Sequence, residues 1–218
     1  MIQWSENAWN NSKGYFQQIL DLPFIQELID GSLPRGVFEF YLQQDAHYLE
    51  EYGKVLAALG ARMPEGEWRS AFLRFSEDTL TVEKALHESF IGTIAVEDRI
   101  AASPSGMLYT GFLYTQLASH SLEEAVASVL PCFRVYQEVG NFILAQPQHE
   151  DNPYASWIAT YGGADFGRAV KLAEAIADGL ADAASPQRRE QMDKVYLLAV
   201  KMEWLFWHSA RQQEKWPL

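Results

Sequence analysis

The strongest limit on the fold is a helical period that runs through the chain with no competing β signal. Phe38, Leu42, Asp45, Leu49, Tyr52, Leu56 and Leu59 are three or four residues apart, which puts them on one helix face. Met192, Tyr196, Ala199, Glu203, Phe206 and Ala210 repeat the pattern near the C-terminus. There is no long alternating Val/Ile-rich run, no Asn-Gly hairpin signal and no internal repeat. Each stripe carries one ionisable residue, Asp45 in the first and Glu203 in the second. An unpaired carboxylate in a core costs on the order of several kcal/mol, so such a group is paired, protonated, solvated by a cavity, or used.

Breaks in the period fall at Asp30-Gly31, Gly60 to Gly66, Ala102-Ser103-Pro104, His120-Ser121, Gln146 to Pro153, Gly162-Gly163 and Ser185-Pro186. Ser103-Pro104 and Ser185-Pro186 read as an N-cap followed by proline in the first turn. Ser121 and Glu124 have capping-box spacing, with Glu124 expected to reach back to the Ser121 amide. These breaks predict seven or eight helices. No linker is long enough to mark a second domain, so residues 1–218 are expected to form an all-α, single-domain helical bundle. Pro131 lies inside the predicted helix from Ser121 to Leu144, where it removes a main-chain hydrogen bond. It is either a tolerated kink or a bend that aims Cys132 and Tyr136 into a cavity.

Charge and cysteine content narrow the function classes. With 17 basic against 29 acidic residues, the net charge is -12, and the nearest basic cluster is Arg188-Arg189. That argues against nucleic acid and anionic membrane surfaces as partners. No apolar run reaches the roughly 20 residues of a membrane span, and the first residues lack the pattern of a signal peptide, so a cytoplasmic location is expected. The lone Cys132 precludes an intramolecular disulfide and is either an inert core thiol or a nucleophile. The 7 Trp, 10 Tyr and 12 Phe suit large-residue packing or a ring-lined cavity for a flat ligand. Taken singly, Asp45 is either a hydrogen-bonded core carboxylate or a ligand contact, and Glu203 could pair with Lys201 or His208.

Four segments, taken in order, resemble the TenA (thiaminase II) family. They are Gln44-Asp45-Ala-His-Tyr48-Leu49, Leu130-Pro131-Cys132-Phe-Arg-Val-Tyr136, Trp157-Ile158-Ala-Thr160-Tyr161-Gly162-Gly163 and Glu203-Trp-Leu-Phe206-Trp207. The resemblance runs from Pro23-Phe24 to Trp216 and implies a haem-oxygenase-like bundle, a homotetramer that needs no cofactor and no metal. It also implies thiamin salvage: hydrolysis of 4-amino-5-aminomethyl-2-methylpyrimidine to the hydroxymethyl compound, with cleavage of thiamin itself in many members. By the same resemblance Cys132 is the nucleophile and Glu203 the acid/base carboxylate. Asp45 grips the pyrimidine, Tyr48, Tyr109, Tyr136 and Tyr161 are pocket tyrosines, and Phe206 packs on the ring. Departures are Leu22-Pro23-Phe24 where the family often has His-Pro-Phe, Gly111-Phe112 after Tyr109-Thr110, and His47 where many members carry a ring. The last two are expected to alter pocket shape.

The chemistry suits these residue types. Adding a thiolate to an electron-poor ring carbon breaks aromaticity and lets the ring expel a group from the attached methylene. A thiol near its ordinary pKa of about 8.5 is expected to supply some thiolate at neutral pH. A carboxylic acid raised by an apolar surround can protonate a ring nitrogen, and Glu203 is flanked by Met202, Trp204 and Phe206. An acceptor-only carboxylate such as Asp45 can receive an exocyclic amine. Two other classes compete. A metal-dependent oxygenase would need converging His and carboxylates, for which Glu83 and His87 are the best-spaced pair, with His208 five after Glu203 and His120 and His149 in predicted turns. A non-catalytic pyrimidine-binding protein would not need Cys132. His87 is otherwise read as a structural residue or one that supports the site from behind.

Overall fold

A computed structural model of the chain describes residues 2–90, 100–147 and 151–217, with backbone only for 82–90. The described residues form nine α-helices and no strand. These are α1 (Trp4–Leu20), α2 (Pro23–Asp30), α3 (Arg35–Arg62), α4 (Gly66–Phe90), α5 (Pro104–Ser119), α6 (Leu122–Leu144), α7 (Ala155–Tyr161), α8 (Ala164–Ala183) and α9 (Pro186–Arg211). The count exceeds the seven or eight expected because the first two helices part at Asp21-Leu22. Pro23 occupies the first turn of α2, and Asp21 caps α1. Gly31 ends α2 in the left-handed region at φ 77°, which a residue with a Cβ adopts only with strain.

Both apolar stripes face inward. All seven stripe residues of α3 and all six of α9 are buried, Asp45 and Glu203 among them. Helices α3, α6 and α9 pack on one another, with α4 and α5 against α3 and with α7 and α8 against α6. Fully burying a single Leu or Phe in these contacts contributes about 1.5–3 kcal/mol. The result sets one chemically distinct group on each central helix: Asp45 on α3, Cys132 on α6 and Glu203 on α9.

Capping follows the sequence in two cases and departs from it in one. Ser103 and Ser185 accept the amides of Gly106 (3.1 Å) and Arg188 (3.2 Å). Ser121 accepts the Glu124 amide at 3.3 Å, but the Glu124 carboxylate does not bond the Ser121 amide. It takes the Ser121 hydroxyl (3.2 Å), the His120 ring (2.8 Å) and the Arg188 guanidinium instead. A cation competes better for a carboxylate than a neutral amide does.

Helices α6 and α7 approach through two glycines. A Cβ on Gly140 would lie 2.6 Å from the Gly162 nitrogen and 2.8 Å from the Tyr161 carbonyl carbon. These are backbone atoms, so no rotamer change relieves the clash. Gly140→Ala is therefore expected to destabilise by about 1–3 kcal/mol and to push Tyr161 off the chamber described below. A Gly140→Ala melting curve that overlays wild type would refute the close approach.

Candidate active site

Helices α3, α4, α6, α7 and α8 surround a chamber of about 80 Å³, room for several waters or one small ring. From α3 come Asp45, Leu49 and Tyr52, and from α6 Cys132, Phe133 and Tyr136. α7 adds Tyr161, α4 adds Phe75, Asp78 and Thr79, and α8 adds Phe166 and Ala169. Four of the eight residues expected from sequence line this space: Asp45, Cys132, Tyr136 and Tyr161. The other four, Glu203, Tyr48, Tyr109 and Phe206, form a layer outside its lining.

That layer is tightly connected. Glu203, 1% exposed, accepts a hydrogen bond from the Tyr109 hydroxyl at 2.6 Å. The Tyr109 ring lies 4.8 Å from Tyr48, which stacks on Tyr52 at 5.4 Å and meets Phe206 at 5.6 Å. Burial raises the Glu203 pKa to about 8, and the Tyr109 bond offsets part of the rise. At neutral pH Glu203 is therefore a carboxylic acid. Neither neighbour in sequence pairs with it: Lys201 sits over the Tyr15 ring at 4.8 Å, and His208 stacks on Trp204 and bonds Gln212. The ion-pair alternative for Glu203 is thereby removed.

The thiol corrects an expectation. Burial, and then the nearby Glu203 charge, push the Cys132 pKa well above its ordinary value. The Tyr48 and Tyr52 hydroxyls work against that rise but do not reverse it. The free protein thus stores a thiol and not a standing fraction of thiolate, because desolvation penalises the anion. The Tyr52 hydroxyl is already donated to the Val129 carbonyl at 2.8 Å, whereas the buried Tyr48 hydroxyl makes no hydrogen bond of good geometry. Tyr48 is the donor free to face sulfur. Both Cys132 and Tyr136 line the chamber within a helix that runs unbroken through Pro131.

The electrostatics sort the tyrosines by the carboxylate they face. Tyr41, Tyr136 and Tyr161 feel the charge of Asp45, while Tyr48, Tyr52 and Tyr109 feel that of Glu203. Tyr136, Tyr161 and Cys132 feel both. Burial raises every one of these hydroxyls, so all remain protonated donors. Tyr41 donates to the Tyr136 hydroxyl at 3.2 Å, and the Tyr136 ring lies 4.8 Å from Tyr161. Sequence reasoning misses Tyr41, although its place four residues before Asp45 puts it on the same face. Tyr52 belongs to the α3 stripe as a core residue and is also chamber wall.

Tyr109→Phe is expected to remove the one hydrogen bond that lowers the Glu203 pKa. The pH at which Glu203 ionises should then move upward, readable as an alkaline shift of any activity that needs its proton. An unshifted alkaline limb would mean that the Tyr109 bond does not control Glu203.

Two sequence departures lie away from the chamber. His47 does not contribute to its lining; its Nε2 contacts the Ile100 carbonyl at 2.7 Å. Gln43 and Gln44 join it in holding the segment before α5, through the Ile100 and Ser103 amides and the Ala101 carbonyl. Gly111 faces open space, and Phe112 packs on the core beside Tyr109. Neither lines the chamber. Glu83, His87 and His149 lie outside the residues whose side chains are described. Among the described residues, no group of three His, Cys, Asp or Glu side chains converges as a metal ion would require. No described helix is long and apolar enough to cross a membrane.

The family model described as the TENA/THI-4/PQQC family matches residues 9–213. The Aminopyrimidine aminohydrolase of Bacillus subtilis is 30% identical over 220 residues, 99% of this chain and 92% of the relative. The Thiamine biosynthesis multifunctional protein ThiED of Corynebacterium efficiens is 34% identical over 206 residues, 94% of this chain but 28% of the relative. The chain thus spans little more than a quarter of that longer protein. Among solved structures, a TenA homologue from P. horikoshii OT3 superposes with a TM-score of 0.86 at 21% identity, covering 97% of this chain and 100% of that one. A Shewanella denitrificans domain of unknown function with a heme oxygenase-like fold superposes at 0.71 and 14% identity, over 95% of this chain and 91% of its own. The all-α, haem-oxygenase-like architecture expected from sequence is the one observed.

Proposed function

The chain belongs to the TENA/THI-4/PQQC family, and from that premise we propose that it is an aminopyrimidine aminohydrolase (thiaminase II) of thiamin salvage. Its substrate is 4-amino-5-aminomethyl-2-methylpyrimidine, converted to the hydroxymethyl compound with release of ammonia; thiamin, cleaved to the same pyrimidine and the thiazole, is the second candidate. The observation that carries this reading is the meeting of the chain's single thiol with a buried carboxylate in one ring-lined chamber: Cys132 and Asp45, with Tyr136 and Tyr161. A binding protein has no use for that thiol.

In this reading the pyrimidine lies among Tyr52, Tyr136 and Tyr161, and Asp45 accepts its exocyclic amine. The Cys132 sulfur adds to an electron-poor ring carbon while the ring gains a proton that originates on Glu203, one layer behind the chamber lining. The thiol proton passes to the Asp45 carboxylate as sulfur adds and goes on to the expelled ammonia, and the departing sulfur later takes the ring proton, so no free thiolate has to accumulate in a site that disfavours it. The ring then expels the amine, water adds to the exposed methylene, and sulfur departs. Glu203, now ionised, helps to deprotonate that water. Tyr109 and Tyr48 orient Glu203 and face the sulfur, and Phe206 backs Tyr48.

The whole chain acts as one unit in this reading, which the family match over residues 9–213 supports. A homotetramer is the proposed working form. Met107, Leu108 and Tyr114, exposed on α5, suit burial against another copy. A free catalytic thiol suits a reducing cytoplasm. The test is product analysis of the purified protein offered the aminomethyl compound and, separately, thiamin. Hydroxymethyl-pyrimidine from either supports the reading; no product from both refutes it.

A further inference from the structure

The chamber around Cys132 opens on one side only among its described walls. Most of its lining is buried, but Asp78 is exposed, and Thr79, Phe166 and Ala169 are half-buried. Asp78, Phe166 and Ala169 also line a second hollow of about 520 Å³, which continues past Thr160 and Asp165. The mouth of the chamber and the floor of this vestibule therefore share Asp78, Phe166 and Ala169, where α4 faces α8. Among the described residues, no Lys or Arg lines either space. Asp165 is paired with Arg168, whereas Asp78 makes no ion pair among the described residues. Among the described residues, one negative charge without an ion-pair partner thus stands where a substituent leaves the chamber.

On the proposed reaction, that substituent is the leaving group. A pyrimidine seated between Asp45 and Cys132 has its 5-methylene group free to point toward the mouth. The overall step is R–CH₂–NH₃⁺ + H₂O → R–CH₂–OH + NH₄⁺, in which the carbon–nitrogen bond breaks, a carbon–oxygen bond forms and the positive charge departs with ammonium. The geometry points to Asp78 as the specificity-determining residue for the leaving group, selecting pyrimidines whose methylene bears a cation. The same carboxylate draws ammonium outward and has no charge attraction for the neutral alcohol, so it favours the substrate over the product. A leaving group with a terminal phosphate meets repulsion at the same place. This inference rests on the hydrolase reading of the chamber.

The test is calorimetric binding in the Cys132→Ala background, where no turnover intervenes. The two ligands are the aminomethyl-pyrimidine and the hydroxymethyl-pyrimidine, near-isosteric and differing in charge. Asp78→Asn is expected to weaken the aminomethyl compound about threefold and Asp78→Lys about tenfold, the size of an exposed charge pair. The hydroxymethyl compound should stay within about twofold on the same scale. The difference should shrink at high salt, because the mouth is open to solvent. Equal changes in both ligands, or no change in either, would overturn the role of Asp78 while leaving the hydrolase reading intact. Binding of neither ligand, with no turnover by wild type, would remove the reading and this inference together.

Discussion

Cys132→Ala is expected to abolish turnover while leaving pyrimidine affinity within about tenfold, roughly 1.4 kcal/mol. On the proposed reading affinity comes from the rings of Tyr52, Tyr136 and Tyr161 and from the Asp45 carboxylate, which line the chamber and which the substitution leaves in place. The rate depends on sulfur forming a bond, and loss of a nucleophile from such a unit costs about 10⁴–10⁶-fold. Cys132 is 8% exposed and lines the chamber, so its replacement by alanine enlarges the cavity slightly and leaves only the Tyr48 hydroxyl without the sulfur it faces, a loss that stays within the tenfold. Steady-state kinetics and calorimetry on one preparation separate the two effects. Turnover near wild type in the variant would eliminate covalent addition, and lost affinity would mean that the thiol is part of the binding wall.

Glu203→Gln is expected to act on both rate and stability, with opposite signs. The amide keeps the shape and still accepts the Tyr109 hydroxyl, but it carries no transferable proton. A loss of about 10²–10⁴-fold in kcat is the normal size for an absent general acid. The stability effect follows from linkage. The folded pKa of Glu203, about 8, lies above its ordinary value of 4.5, so the folded state holds the proton more tightly than the unfolded one. This contribution is fully present below pH 4.5, declines as pH rises, and is exhausted once Glu203 ionises in the folded protein near pH 8. The amide of the variant has nothing to titrate. Its advantage over wild type should therefore grow between about pH 5 and pH 8.5 by about 3–4 kcal/mol, roughly 6–16 °C in Tm for a chain of this size. A difference in Tm that does not vary with pH would contradict the raised pKa.

How much of this is legible in the sequence depends on which physical quantity is asked for. Periodicity locates both carboxylates, because Asp45 and Glu203 interrupt stripes whose other members are all buried. Punctuation by Gly, Pro and Ser marks most helix ends and misses Asp21-Leu22, where the proline signal lies at Pro23. Depth is not legible. Tyr136 and Tyr161 reach the chamber while Tyr48 and Tyr109 sit outside its lining, and side-chain reach across five helices decides that. The α4 residues Phe75, Asp78 and Thr79 carry no local pattern that separates them from an ordinary amphipathic helix; only packing against α8 makes them a mouth. The state of the thiol escapes the sequence for a related reason. Its pKa is set by desolvation and by Glu203, which lies 71 residues away in sequence.

The most direct measurement is the pH dependence of kcat with saturating aminomethyl-pyrimidine, for wild type and Tyr109→Phe in parallel. The central claim is that a carboxylic acid held protonated up to about pH 8 works with a thiol that loses its proton only as it adds. The expected profile falls above about pH 8, as Glu203 gives up the proton it must deliver, and the fall moves to higher pH in Tyr109→Phe. A rate that keeps climbing through about pH 9 in wild type would contradict the account, because it would mean that formation of free thiolate, and not the Glu203 proton, limits the reaction.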